Sequence, residues 1–181
     1  MSAQDSATPE QYFRDLDASR HDCGLPASLR HNTELFARDV LAFLFPHFET
    51  PRDQSKSRNE RLQHLRETLE DVVTPILPKT SCCQDIESDF INHLPAIHQA
   101  LMGDAQYIFA NDPAAESLDE VILAYPGFYA IALHRIAHCF HECGVPFFPR
   151  MLSEFAHKDN AGSDDVEKVR EALSIVSRER D

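Results

Sequence analysis

The chain has 181 residues, 43% of them hydrophobic, which suits one domain with a sizeable core. Its formal net charge of −13, with no basic stripe, argues against a nucleic-acid or anionic-membrane partner. Five glycines, twelve phenylalanines and no tryptophan point to helices around a Phe-filled core rather than a turn-rich β fold. The five cysteines (Cys23, Cys82, Cys83, Cys139 and Cys143) form no CxxC pair and read as reduced thiols of a cytoplasmic protein. The polar N-terminus MSAQDSATPEQ does not resemble a signal peptide, and no apolar run is long enough to cross a membrane.

Residues 1–30 read as a polar, partly ordered lead, with a short helix near Glu10 to Ser19. From Asn32 to Phe45, the residues Leu35, Phe36, Val40, Leu41, Phe43 and Leu44 recur at helical spacing, and Pro46 closes the element. Asn59 to Val73 gives a second helix, its stripe being Leu62, Leu65, Leu69, Val72 and Val73. Asp85 to Met102 gives a third, which Pro95 is expected to kink or divide, and Tyr107 to Phe109 extend it toward Asn111. Ser117-Leu118-Asp119-Glu120 reads as a capping box that starts a helix from Leu118 to Ala124. Tyr125-Pro126-Gly127 breaks that helix, Phe128 to Cys143 forms the next, and Gly144 suits a left-handed stop. After Val145-Pro146 comes a helix of about Phe148 to Ala156. The expected fold class is all-α, with residues 31–158 as the helical domain and 159–181 as a charged tail. In that tail Val166, Val169, Leu173 and Val176 are spaced for a short amphipathic helix, or the segment is fortuitous sequence.

His134, His138 and His141 lie at i, i+4 and i+7, with Cys139 and Cys143 nearby. This could be metal-ligand spacing, but zinc sites usually draw on two elements, and these thiols face different sides. Structural histidines are the expectation. Cys82-Cys83 reads as a pair of loop thiols, since vicinal disulfides are strained. Asp112, before Pro113, is by itself an ordinary turn starter.

The ordered set Asp112-Pro113, Tyr125-Pro126-Gly127-Phe128 and His134-Arg135-Ile136-Ala137-His138, followed by GVPFFPRMLSEFAH, resembles the end of the helical domain of serine O-acetyltransferases. The likeness spans residues 111–157. It implies transfer of an acetyl group from the co-substrate acetyl-CoA to L-serine, on the route to cysteine. It also implies helical domains that assemble into trimers or hexamers. In the family a left-handed β-helix follows, carrying a His–Asp general base. Asp112 matches the family's substrate-binding Asp, whose carboxylate suits an ammonium group. After His157 the chain reads KDNAGSDDVEKVREALSIVSRERD, where the family has a TGIDIHPGA-like start of the β-helix. The expectation is therefore an assembly domain without catalytic residues, metal or cofactor, inactive alone. Serine contact through Asp112 would belong to an intact enzyme. A different reading stays open: a stand-alone all-α interaction module that binds or modulates full-length subunits.

Overall fold

The computed structural model describes residues 8–19, 24–78 and 82–160, with side chains described as far as residue 156. Among the described residues there are eight α-helices and no strand. They are α1 (Pro9–Ser19), α2 (Leu29–Leu44), α3 (Pro51–Gln54), α4 (Arg58–Val73), α5 (Cys83–Asn111), α6 (Leu118–Ala124), α7 (Pro126–Glu142) and α8 (Phe148–Asn160). Single 3-10 turns occupy Pro46–Phe48 and Thr74–Ile76. The all-α expectation holds. The charged tail beyond residue 160 lies outside the described residues, as does Cys23.

The core is built on aromatic rings. Phe36 of α2, Phe90 of α5, Phe140 of α7 and Phe148 of α8 are all fully buried. Phe90 and Phe140 stack at 4.6 Å, and Phe140 meets Phe148 edge-on at 4.9 Å. Phe36 lies 5.6 to 5.7 Å from the other three ring centres. Offset and edge-on pairs of this kind add to the area they bury. A second group joins Phe45, just after α2, to Phe128 of α7 at 5.5 Å and to His98 of α5 at 5.1 Å. The helices around these rings supply aliphatic stripes, such as Leu65, Leu69, Val72 and Val73 on α4. By contrast α1 buries none of its residues and exposes Tyr12, Phe13 and Leu16.

Pro95 does not divide its helix: α5 runs unbroken for 29 residues. Proline removes one main-chain hydrogen bond and crowds the preceding turn. Phe90 and Leu94 before it, and Ile97 and Leu101 after it, are all buried, so packing on both sides outweighs the local cost. The helix also continues past Met102, as Tyr107 to Phe109 suggested. Helix α2 begins at Leu29, three residues earlier than its apolar spacing indicated, because Leu29 itself is buried.

Side-chain caps start α3, α4 and α6. Ser117 Oγ accepts from the Glu120 amide at 3.1 Å, as expected. The reciprocal half of that box is not made: Glu120 Oε2 accepts from the Glu116 amide instead, at 2.7 Å. Two complete boxes stand elsewhere, Thr50 with Asp53 on α3 and Ser57 with Glu60 on α4. Neither was expected, although Ser57-Arg58-Asn59-Glu60 carries the S-x-x-E pattern. Burial pushes the Asp53 carboxyl up, but hydrogen bonds from Thr50 and the charges of Arg38 and Lys56 outweigh it. Its pKa ends below the ordinary carboxylate value, so this cap stabilises above that value and is lost as pH falls through the lowered one.

Helix α7 ends in a complete C-terminal cap. The Gly144 amide donates to His141 C=O and the Val145 amide to Phe140 C=O, both at 3.0 Å. This double bond is a Schellman motif, and it requires the left-handed φ of 71° seen at Gly144. A Cβ there would meet no atom within 4 Å, so Gly144→Ala should cost backbone strain alone, about 1 kcal/mol. Thermal unfolding of the variant checks this; a loss near zero would mean that the turn is not held in the left-handed region.

Candidate substrate-contact site at the end of helix α5

Asp112 caps the C-terminus of α5. Its amide still donates to Ile108 C=O at 2.9 Å, while its own backbone has left the helix at φ −104°, ψ 107°. Pro113 favours that extended geometry in the residue before it. The Asp112 side chain then organises the turn, Oδ1 accepting from the Ala114 amide at 2.9 Å. The Ala115 amide donates to Asp112 C=O at 3.1 Å. One carboxylate oxygen is thus committed to the turn, and Oδ2 makes no hydrogen bond among the described residues. The side chain is half-buried.

The electrostatic setting favours a cationic ligand. The end of a helix carries partial negative charge on its last carbonyls, so a carboxylate there is unfavourable until a cation meets it. Asn111 relieves one carbonyl, its Nδ2 donating to Tyr107 C=O at 2.8 Å. An ammonium group with three donors suits what remains.

Two elements hold this corner. Arg135 of α7 reaches α5 in a two-pronged ion pair, Nε to Asp104 Oδ2 at 2.6 Å and Nη2 to Asp104 Oδ1 at 2.8 Å. Asp104 precedes Asp112 by eight residues, about 12 Å along the helix. The His134–His138 motif therefore has a structural task through its arginine, which fixes the α5 segment leading to Asp112. The Tyr125–Phe128 motif starts α7: Pro126 takes the first helical position and Phe128 anchors the first turn in the core. The arginine's partner went unrecognised in the sequence, because Asp104 lies 31 residues away and nothing local marks the pair.

Other candidate chemistry does not assemble. His138 Nδ1 lies 3.5 Å from Glu142 Oε2, and the His138 and His141 rings meet edge-on at 6.3 Å. Among the described residues no group of three or more His, Cys, Asp or Glu side chains could hold a metal ion. Burial pushes the Cys139 thiol up to about 12, reinforced by Cys143 and Glu142. Burial raises Cys143 and Cys83 as well. Neutral thiols are poor nucleophiles and poor ligands. A hydrogen-bonded His–Asp pair does form at the surface: His47 Nε2 lies 3.0 Å from Asp119 Oδ1. Its remaining nitrogen, Nδ1, is buried without a partner and offers no face to a substrate hydroxyl. The pair ties α6 to the Pro46–Phe48 turn.

No protein-family model matches the chain. Individual proteins do. The plasmid-encoded serine acetyltransferase of Synechococcus elongatus is 31% identical over 98 residues, 54% of this chain and 30% of that protein. A serine acetyltransferase of Synechocystis is 44% identical over 57 residues, 32% of this chain and 23% of that protein. Among solved structures, serine acetyltransferase 1 of Entamoeba histolytica in complex with L-cysteine superposes with a TM-score of 0.61 at 28% identity. That superposition covers 71% of this chain and 47% of the other. The chain is thus homologous to serine acetyltransferases in sequence and fold, and it spans about a quarter to a third of the curated relatives it matches.

Proposed function

We propose that this chain is the helical assembly part of a serine O-acetyltransferase, an enzyme of cysteine biosynthesis in the cytoplasm. In the assembled enzyme Asp112 would contact the ammonium group of L-serine. The observation that carries the reading is the agreement of two independent likenesses, sequence identity and the superposition of an all-helical fold, on one enzyme. The position of Asp112 supports its role: a half-buried carboxylate at a negative helix end, with one oxygen spoken for by the turn and one left over.

Acetyl transfer to serine needs a base for the hydroxyl and a place for acetyl-CoA. Among the described residues there is no strand from which a groove for acetyl-CoA could be built, and the His47–Asp119 pair has its second nitrogen buried. The 181-residue polypeptide is therefore expected to show no serine-dependent release of CoA, measured with a thiol reagent. Robust turnover would sink the assembly-part reading. The same polypeptide should self-associate as a trimer or hexamer, read by light scattering. No helix among the described residues is long and apolar enough to cross a membrane.

The exposed Tyr12, Phe13 and Leu16 of α1 favour a second reading, an interaction module that modulates intact subunits. Co-purification with a full-length serine acetyltransferase, together with no self-association, would select it.

A further inference from the structure

A polar niche lies apart from Asp112, between α2, α3 and α4. Asp39, Phe43, Asp53, Arg61 and His64 are among the residues that line it. Asp39 is only 9% exposed. Its Oδ1 is fully engaged, accepting from Arg38 Nε at 3.0 Å and Nη2 at 2.5 Å. Its Oδ2 is buried and accepts no hydrogen bond from protein atoms. His64 Nε2 approaches that oxygen to 3.3 Å but is not aligned as a hydrogen bond. Across the niche Arg61 gives Nη1 to Glu49, while its Nε is buried without a protein partner. Asp53 Oδ2 is occupied by the amide and hydroxyl of Thr50.

One orphan acceptor and one orphan donor thus belong to side chains lining a single cavity. Buried polar atoms of this kind nearly always have a partner. Its void is about 10 Å³, the room of one water. An anion would meet Asp39 and Asp53, and a metal cation would meet Lys56 and Arg61 without the ligand set to outweigh them. A ligand that fits must be small and uncharged, donating to a carboxylate while accepting from a guanidinium. We propose that this niche is a binding site for a single long-lived water molecule, which joins Asp39 Oδ2 on α2 to Arg61 Nε on α4. It gives each of these two atoms its partner and ties α2 to α4.

Two measurements on the whole 181-residue chain test this. In a water-selective nuclear Overhauser spectrum of the ¹⁵N-labelled protein, the Arg61 Nε proton should show the slow-tumbling cross-peak of a bound water. A crystal structure that shows ordered solvent should place one water within hydrogen-bond reach of both atoms. Loss of the cross-peak would overturn the proposal. A direct bond from Arg61 or His64 to Asp39 Oδ2 would do the same, as would a water touching only one of the two atoms.

Discussion

Replacing Phe36 with alanine is expected to destabilise the fold by about 3–5 kcal/mol. For a chain of this size that lowers the melting temperature by roughly 6–20 °C, at about 2–4 °C per kcal/mol. The reason is geometric. Phe36 brings α2 to the rings of Phe90, Phe140 and Phe148, which come from three other helices. Those rings are rigid and already packed on one another, so they cannot close over the space left behind. The cost therefore includes a cavity as well as the lost transfer of the ring from water. Leu123, 62% exposed on α6, is the control: its alanine variant should lie within about 0.5 kcal/mol of the parent. Denaturant titration of both variants decides the matter; equal stabilities would mean that the aromatic knot does not hold the helices together.

Arg135→Ala is expected to cost about 3–5 kcal/mol, the range for breaking one side of a buried ion pair. The value should fall near the lower limit, since Arg135 is 19% exposed and some water can reach it. The damage comes mostly from Asp104, whose side chain is 10% exposed and would be left charged without its partner. Replacing both residues by leucine should then recover much of the loss, because no charge stays buried. Amide hydrogen exchange gives the local readout. Protection should fall most in the last turns of α5, between Asp104 and Asp112, if the ion pair is what fixes that segment. The exposed pair offers the contrast: Asp119 is 83% exposed, so Asp119→Ala should change stability by at most about 1 kcal/mol.

Helices α4, α6, α7 and α8 were legible because each carries a clear apolar stripe or an unmistakable boundary. Leu65, Leu69 and Val72 mark one face of α4, and Gly144 stops α7 as its sequence context suggested. The unbroken α5 was not legible at Pro95. A proline carries a strong local penalty, and the packing that overrides it comes from helices distant in sequence. Helix α3 escaped notice because four residues are too few to show periodicity, and only its Thr50–Asp53 cap marks it. Pairings across elements were hidden for the same reason: Asp104 with Arg135, Asp39 with His64 and His47 with Asp119. The candidate site was legible only through likeness, because an Asp before a Pro is a common turn starter and nothing in the residue itself speaks of a substrate.

The four-ring knot also has an order of assembly written into its spacing. Phe140 and Phe148 are eight residues apart across the capped turn at Gly144, whereas Phe36 and Phe140 are separated by 104. Closing the longer loop costs about 2 kcal/mol more chain entropy than closing the shorter one. The ring pair joining α7 to α8 is thus the inexpensive contact to make early, and Phe90 then adds across 50 residues. Phe36 closes on Phe90 across 54 residues, at nearly the same entropic cost, so the two longer closures have no entropic order between them and both follow the α7–α8 pair.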